Sequence, residues 1–214
     1  LTRLLKSSGT KAKLATATEG ITPLKMQDDG HGHGHGGEDP HAWQSVSNAK
    51  VYVANILKAL SAADPAGKAI YEANAAAYLG RLDALEAEIK TAVARIPADR
   101  RKAITSHDAF AYFAKAYGIA FVAPQGVSTE AEASARDVGR IIRQVKAQKV
   151  PAVCLENISN PRLAEQIARE SGARIGGRLY SDALSGSDGP AGTYIAMMKH
   201  NISQIEKALA AGPA

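Results

Sequence analysis

The chain has 214 residues, of which 45% are hydrophobic and only 5% aromatic, and its formal net charge is +5. A chain of this length and hydrophobicity is globular and can form one large domain or two small ones. The positive charge does not indicate nucleic-acid binding, because the lysines and arginines are dispersed and are not interleaved with aromatic residues. No stretch approaches the roughly 20 apolar residues of a membrane span, and no signal peptide is recognisable.

The first nine residues have the pattern of a helix end. Leu1, Leu4 and Leu5 share one helical face and Gly9 follows in a C-terminal position, but neither an N-cap nor an initiating methionine precedes them. Residues 12–21 then alternate in the manner of a strand. We therefore expect residues 1–63 to be the remainder of an N-terminal lobe whose beginning is absent from this sequence.

A long helix is predicted for residues 64–97. Residues 44–60 already carry apolar side chains at helical spacing, and Asp64 with Pro65 then provides a new N-cap with proline at the first helical position. Apolar residues recur every three or four positions from there to Ile96, and Pro97 ends the pattern. A helix of about 30 residues is on the order of 45 Å long, so we interpret it as a spine that joins two lobes.

The remaining residues, 98–214, alternate between short apolar runs and helices. We expect strands near residues 103–105, 119–123, 153–155 and 174–180, and helices that begin at Asp108, at a capping box over residues 129–132, at Asn160 with Pro161, and near Tyr194. Four strand-helix units in series predict a parallel sheet covered on both faces. The predicted fold class is α/β, with two such lobes joined by a rigid helix and the first lobe incomplete.

Four of the six histidines lie within residues 31–41. His31, His33 and His35 alternate with glycine, which gives imidazoles on a backbone with almost no conformational preference. We interpret residues 31–37 as a mobile loop that collects metal ions, the alternative being a solvated linker. His41 differs because Pro40 fixes the backbone before it, and we interpret His41 as an ordered metal ligand.

Other polar residues follow the predicted strands of the C-terminal lobe. In an open parallel sheet, ligands bind at the carboxyl ends of the strands, where His107 and Asp182 are expected. With His41 from the first lobe they would supply three zinc ligands across a cleft. Taken singly, His107 could instead be a hydrogen-bonded residue at a helix start, and Asp182 an ordinary turn residue.

Three further polar residues are given structural interpretations. We interpret Asp108 as the N-cap of its helix and His200 as solvent-exposed. Glu156 is either a group that supports a ligand or a surface carboxylate.

Several motifs together resemble one protein family. They are the His-rich loop leading into Asp39-Pro40-His41-Ala42-Trp43, the long alanine-rich helix, residues 105–113 (TSHDAFAYF) and residues 181–184 (SDAL). In this order they resemble the zinc-binding solute receptors of bacterial ABC importers, the ZnuA/TroA-like group. The resemblance implies two α/β lobes that hold a metal ion between them.

The resemblance also implies a ligand set. The family typically uses three histidines with a carboxylate or water, and His41, His107 and Asp182 match the second, third and last positions. The first histidine belongs to an earlier segment, so the sequence resembles a fragment. Manganese receptors of this fold place a glutamate where His107 stands, and imidazole at that position therefore indicates zinc.

The leading functional hypothesis is a monomeric periplasmic receptor that binds Zn²⁺ and delivers it to the membrane permease of an ABC importer, without catalysis. A periplasmic zinc chaperone is a further candidate partner. One alternative is a zinc-storing or adhesin-type surface protein in which residues 31–36 are the active element. Another is a zinc enzyme with Glu156 as general base, although no HExxH motif is present.

Overall fold

The N-terminal part of the chain is helical. The computed structural model describes residues 2–25, 37–124 and 134–210. A short helix, α1 (Thr2–Ser7), precedes two long helices, α2 (Val46–Ala63) and α3 (Lys68–Ala94). Residues 12–21 lie in turns and irregular structure, so the strand prediction is wrong. Nearly all of their side chains are exposed, so the strand-like alternation in the sequence does not correspond to one buried and one exposed face.

Helix α3 is the predicted spine. It begins later than expected, because Asp64 and Pro65 open a 3-10 turn in which the Asp64 carboxylate accepts a hydrogen bond from the Gly67 amide at 3.2 Å. Its 27 residues make a helix of about 40 Å. Among the described helices, none combines the length and apolar composition needed to cross a membrane. The role of α3 as a link between two lobes remains a prediction.

A parallel sheet organises the C-terminal part. Its strands are β1 (Lys102–Ile104), β2 (Ala120–Val122), β3 (Ala152–Glu156) and β4 (Arg174–Leu179). They lie in the order β2-β1-β3-β4, and each neighbouring pair is parallel. The chain also forms helices α4 (Ala111–Tyr117), α5 (Ala135–Gln148), α6 (Pro161–Ser171) and α7 (Tyr194–Ala210). The predicted α/β fold class is confirmed for this part.

Local signals explain where these helices begin and end. Asn160 caps α6 by accepting a hydrogen bond from Arg162, and Gly172 ends the helix at a φ of 80°, which is strained for other residues. Ser134 caps α5, whereas the predicted capping box over residues 129–132 lies outside the described residues. Helix α4 begins at Ala111, so the interpretation of Asp108 as its N-cap is wrong.

Both faces of the sheet are covered by apolar layers. Alternate strand residues point to opposite faces, so Ile104 and Val153 pack with the buried sides of α5 and α6. Ala103 and Ala152 belong to the other layer, which includes the buried sides of α3, α4 and α7. Because both faces are occupied, the edge where the strands end is the place left for polar loops.

The buried side of α3 should contribute more to stability than its exposed side. Ile89 is fully buried, whereas Ile70 on the same helix is 65% exposed. We expect Ile89→Ala to lower the free energy of unfolding by about 2–5 kcal/mol, because it removes buried methyl groups and leaves a cavity. Urea unfolding followed by circular dichroism measures this loss. Ile70→Ala is the matched control and should change the free energy by less than about 1 kcal/mol; equal losses would contradict the packing described.

Candidate metal centre

Three side chains predicted as metal ligands meet at the carboxyl edge of the sheet. Nε2 of His41 lies 3.0 Å from one carboxylate oxygen of Asp182, and Nε2 of His107 lies 2.9 Å from the other. One potential ligand atom from each residue lies within 4.8 Å of the others. His41 and His107 are buried, and the Asp182 side chain is 28% exposed. The structure thus brings together residues far apart in sequence, and their role as metal ligands remains a prediction.

His41 is held by the segment that precedes it. The Asp39 carboxylate accepts a hydrogen bond from the backbone amide of His41 at 2.9 Å, and the same oxygen lies 2.7 Å from His41 Nδ1. Asp39 is itself anchored, because its amide donates to the Leu24 carbonyl and its carbonyl accepts from the Tyr112 hydroxyl. The His41 ring is therefore fixed through both its backbone and its Nδ1 atom.

His107 is held in the same manner by Glu156, the last residue of β3. One carboxylate oxygen of Glu156 accepts from the backbone amides of Ser106 and His107 at 2.6 and 3.0 Å. The other oxygen lies 2.6 Å from His107 Nδ1. Glu156 is buried, so its interpretation as a surface carboxylate is wrong, and it supports His107 instead. His107 lies in the loop before α4 and not at a helix start.

The two outer carboxylates set the direction of both imidazoles. Asp39 and Glu156 each face an Nδ1 atom, which leaves the Nε2 atoms of His41 and His107 directed at Asp182. Histidines that bind metals commonly have their second nitrogen hydrogen-bonded to a carboxylate, which fixes the tautomer and the ring orientation. The outer carboxylates are thus placed like those that support metal-binding histidines, and the cluster could hold a metal ion.

Electrostatics in the cluster favour charged imidazoles. Burial disfavours the charged form of His41, but hydrogen bonds to Asp182 and Asp39 outweigh this effect and raise its pKa to about 9. For His107, burial is likewise outweighed by Asp182 and Glu156, and the pKa is again raised to about 9. Burial opposes ionisation of Asp182, yet both histidines hold the pKa of its carboxyl well below the usual range.

The donor atoms fit a small divalent ion. Zinc binds imidazole nitrogens and carboxylate oxygens at about 2.0–2.2 Å, so neighbouring donors in a tetrahedral site are about 3.4 Å apart. The contacts between Asp182 and the two imidazoles are shorter by about half an ångström. Both contacts would have to lengthen by about this amount for zinc to bind between the donors. Within the described residues, no fourth histidine, cysteine or carboxylate joins the group.

Other residues singled out in the sequence have different environments. Asp108 is half-buried, and burial, followed by the negative charge of Asp39, raises its pKa. His200 is half-buried rather than solvent-exposed as predicted, because its ring packs against Tyr180 and Nε2 lies 2.8 Å from the Arg178 carbonyl oxygen.

The loop histidines and Asp39 remain to be placed. His31, His33 and His35 lie outside the described residues. Asp39 was missed as a supporting group, although its position two residues before His41, with proline between them, is the available signal.

Comparison with known proteins identifies the family. The profile of the family described as "Zinc-uptake complex component A periplasmic" (ZnuA) matches residues 1–208. The iron-binding protein YfeA of Yersinia pestis is 39% identical over 193 residues, which cover 90% of this chain and 61% of that protein. The manganese ABC transporter substrate-binding lipoprotein PsaA of Streptococcus pneumoniae is 31% identical, with the same coverage of both chains. The chain thus spans about three-fifths of the length of these relatives.

The solved structures agree with this result. The periplasmic zinc-binding protein TroA of Treponema pallidum superposes with a TM-score of 0.88 at 29% identity, covering 98% of this chain and 76% of that one. These relatives are named as metal-binding, metal-uptake or transporter substrate-binding proteins, in agreement with the expectation of binding without catalysis. Their names specify iron, manganese and zinc, so membership of the family does not identify which metal ion this chain binds. The chain belongs to the ZnuA family of periplasmic metal-uptake components.

Proposed function

We propose that the chain is the metal-binding part of a periplasmic receptor that captures a divalent transition-metal ion and delivers it to the membrane permease of an ABC importer. The observation that carries this proposal is the buried pair of imidazoles facing one carboxylate, each imidazole being supported by a second carboxylate. The relatives named as transporter substrate-binding and periplasmic proteins support the location and the permease as partner.

Capture consists of an exchange of protons for a metal ion. The ion would take the position between Nε2 of His41, Nε2 of His107 and the carboxylate of Asp182, and the imidazole protons would leave. Asp39 and Glu156 would keep their contacts with the Nδ1 atoms and so hold the rings in place. Because Asp182 is the most exposed of the three ligands, we propose that it is the side through which the ion enters.

We propose zinc as the preferred ion. Imidazole is a better ligand for zinc than for manganese, which prefers oxygen, and His107 supplies nitrogen at the position where manganese receptors of this fold carry glutamate. Two nitrogens and one oxygen make a donor set suited to a borderline ion. Since relatives are named for iron and manganese, the order of affinities must be measured directly.

The two alternatives are weaker. An enzyme would need Glu156 as a free general base, but one of its oxygens accepts from the Ser106 and His107 amides and the other is buried 2.6 Å from His107 Nδ1. A zinc-storing or adhesin-type surface protein would depend on residues 31–36. Deleting these residues separates the two binding roles, since a receptor keeps one tight site and a store loses most of its capacity.

We further propose that the protein acts as a monomer and does not bind nucleic acid. A periplasmic zinc chaperone is proposed as a second partner, one that would pass zinc to the histidines at residues 31–35.

His107 provides the first test. We expect His107→Ala to weaken zinc binding by at least about tenfold, because only two protein donors remain, and His107→Glu to shift preference toward manganese. Titration against a competing chelator measures both. His200→Ala is the matched control, since His200 lies outside the cluster, and should leave the affinity unchanged. Wild-type affinity in His107→Ala would remove this residue from the site.

The zinc affinity should keep changing up to a higher pH than it would at a site made of histidines with ordinary pKa values. Free imidazole has a pKa near 6.5, but the cluster raises the pKa values of His41 and His107 to about 9. Protons therefore compete with the metal throughout the range from pH 7 to about 9. We expect the apparent affinity to rise by about tenfold per pH unit for each proton released.

The stability of the metal-free protein should fall as the pH rises, whereas the zinc affinity should increase. The pKa values of both imidazoles are higher in the folded than in the unfolded chain, so their contribution to stability is complete below about pH 6.5 and is lost as the pH rises through about 9. Chelator competition and thermal unfolding at several pH values measure the two trends. An affinity that levels off near pH 7 would contradict the raised pKa values.

The histidines at residues 31–35 should affect capture more than final affinity. We propose that they form transient zinc complexes that raise the local metal concentration beside His41. Replacing His31, His33 and His35 by serine should leave the tight site intact, remove additional weak zinc equivalents and slow acquisition at low free zinc. Equilibrium titration with stopped-flow transfer measures these effects. Loss of the tight site itself would mean that these histidines are structural ligands.

A further inference from the structure

Hydrogen bonds connect the segment that carries His41 to the segment that carries Asp182. Trp43 Nε1 donates to the carbonyl oxygen of Ser181 at 3.0 Å, and Gln44 Nε2 donates to the same oxygen at 3.1 Å. We call these two bonds the Ser181 clasp. The Trp43 bond spans 138 residues of sequence and the Gln44 bond spans 137. Both donors closely follow the proposed ligand His41, and Ser181 directly precedes the proposed ligand Asp182.

The clasp acts directly on the backbone of Asp182. The Ser181 carbonyl belongs to the planar peptide unit that also contains the Asp182 nitrogen and Cα atom. Fixing this carbonyl oxygen therefore fixes the plane from which the Asp182 side chain extends. Ser181 and Gln44 are both fully buried, so water could not readily replace either hydrogen bond if it were broken.

One donor of the clasp, Trp43, is itself fixed. The Trp43 carbonyl oxygen accepts a hydrogen bond from the Tyr194 hydroxyl of α7 at 2.8 Å. The Trp43 ring also packs edge-on against the His41 ring, with centroids 5.4 Å apart. A movement that separates His41 from Asp182 must therefore break the clasp or displace Trp43.

We propose that Trp43 and Gln44 are positioning residues that control how slowly the metal ion leaves the site. This inference rests on the proposed metal-binding function. Release requires Asp182 to move away from His41, and the clasp resists that movement. In this proposal the form that captures the ion is open, with Asp182 displaced and the clasp unmade, and the clasp should therefore change the rate of release much more than the rate of capture.

Conservative variants test this proposal. Trp43→Phe keeps an aromatic ring beside His41 but removes the indole donor, and Gln44→Met keeps the chain length but removes the amide. We expect each to speed zinc release by about fivefold, and the double variant to speed it by more than about tenfold, with capture rates changed by less than about twofold. Stopped-flow mixing of the zinc-loaded protein with excess chelator measures release.

Matched controls lie far from the site. Tyr71→Phe removes a hydroxyl that donates to Asp64, and Asn55→Met removes an amide that donates to the carbonyl oxygens of Ala17 and Glu19. Both should release zinc at the wild-type rate. Circular dichroism shows whether each variant is folded.

The wild-type protein provides an independent measurement. Trp43 is the only tryptophan in the chain, so its indole N–H gives a single, unambiguous NMR signal. If the clasp strengthens metal binding, metal binding must strengthen the clasp by the same factor. Zinc should therefore slow solvent exchange of this N–H by more than about tenfold.

The outcomes separate this inference from the proposed function. A wild-type protein without a tight zinc site would overturn the function itself. Tight wild-type binding, with unchanged release rates in both folded variants or with indole exchange unaffected by zinc, would overturn the clasp alone. Slower capture at an unchanged release rate would also overturn it.

Discussion

The burial of two imidazoles beside one carboxylate is the constraint on which the site depends. Inside the protein, charged groups require partners, and His41 and His107 each have one carboxylate on either side of the ring. Asp39 and Glu156 are themselves fixed by backbone hydrogen bonds, so the ring directions follow from the fold. The same contacts that favour protons on the imidazoles prepare the Nε2 atoms for a metal ion. Under the proposed function, protons and the metal ion compete for the same two Nε2 atoms.

The parallel sheet explains how distant residues reach this centre. Apolar layers cover both faces, which leaves the carboxyl edge for polar groups. Glu156 ends β3, while His107 and Asp182 follow β1 and β4. His41 approaches from the helical N-terminal part, and the bonds from Trp43 and Gln44 to Ser181 connect its segment to that of Asp182. The cluster therefore consists of two segments that are held separately, and the proposed release of an ion would move them apart.

The sequence predicted the fold class and the residues of the cluster better than it predicted their surroundings. Helical periodicity and cap residues located α3 and α6, and the strand-end rule selected His107 and Asp182. Residues 12–21 were wrongly predicted as a strand, since alternation alone does not provide a neighbouring strand. Asp108 was misread as a cap because the loop after β1 extends further before α4 begins. Asp39 contacts His41 from two residues away, so a local signal for its supporting role was available. The role of Glu156 and the raised pKa values depend instead on contacts between distant segments, which no local pattern encodes.

We propose that His41, His107 and Asp182 together bind the metal ion. Anomalous diffraction from crystals of the zinc-loaded protein, recorded on both sides of the zinc absorption edge, tests it most directly. We expect one strong anomalous peak about 2.0–2.2 Å from Nε2 of His41, Nε2 of His107 and a carboxylate oxygen of Asp182. A zinc peak elsewhere in the protein, with His107 still paired only to Asp182 and Glu156, would contradict it.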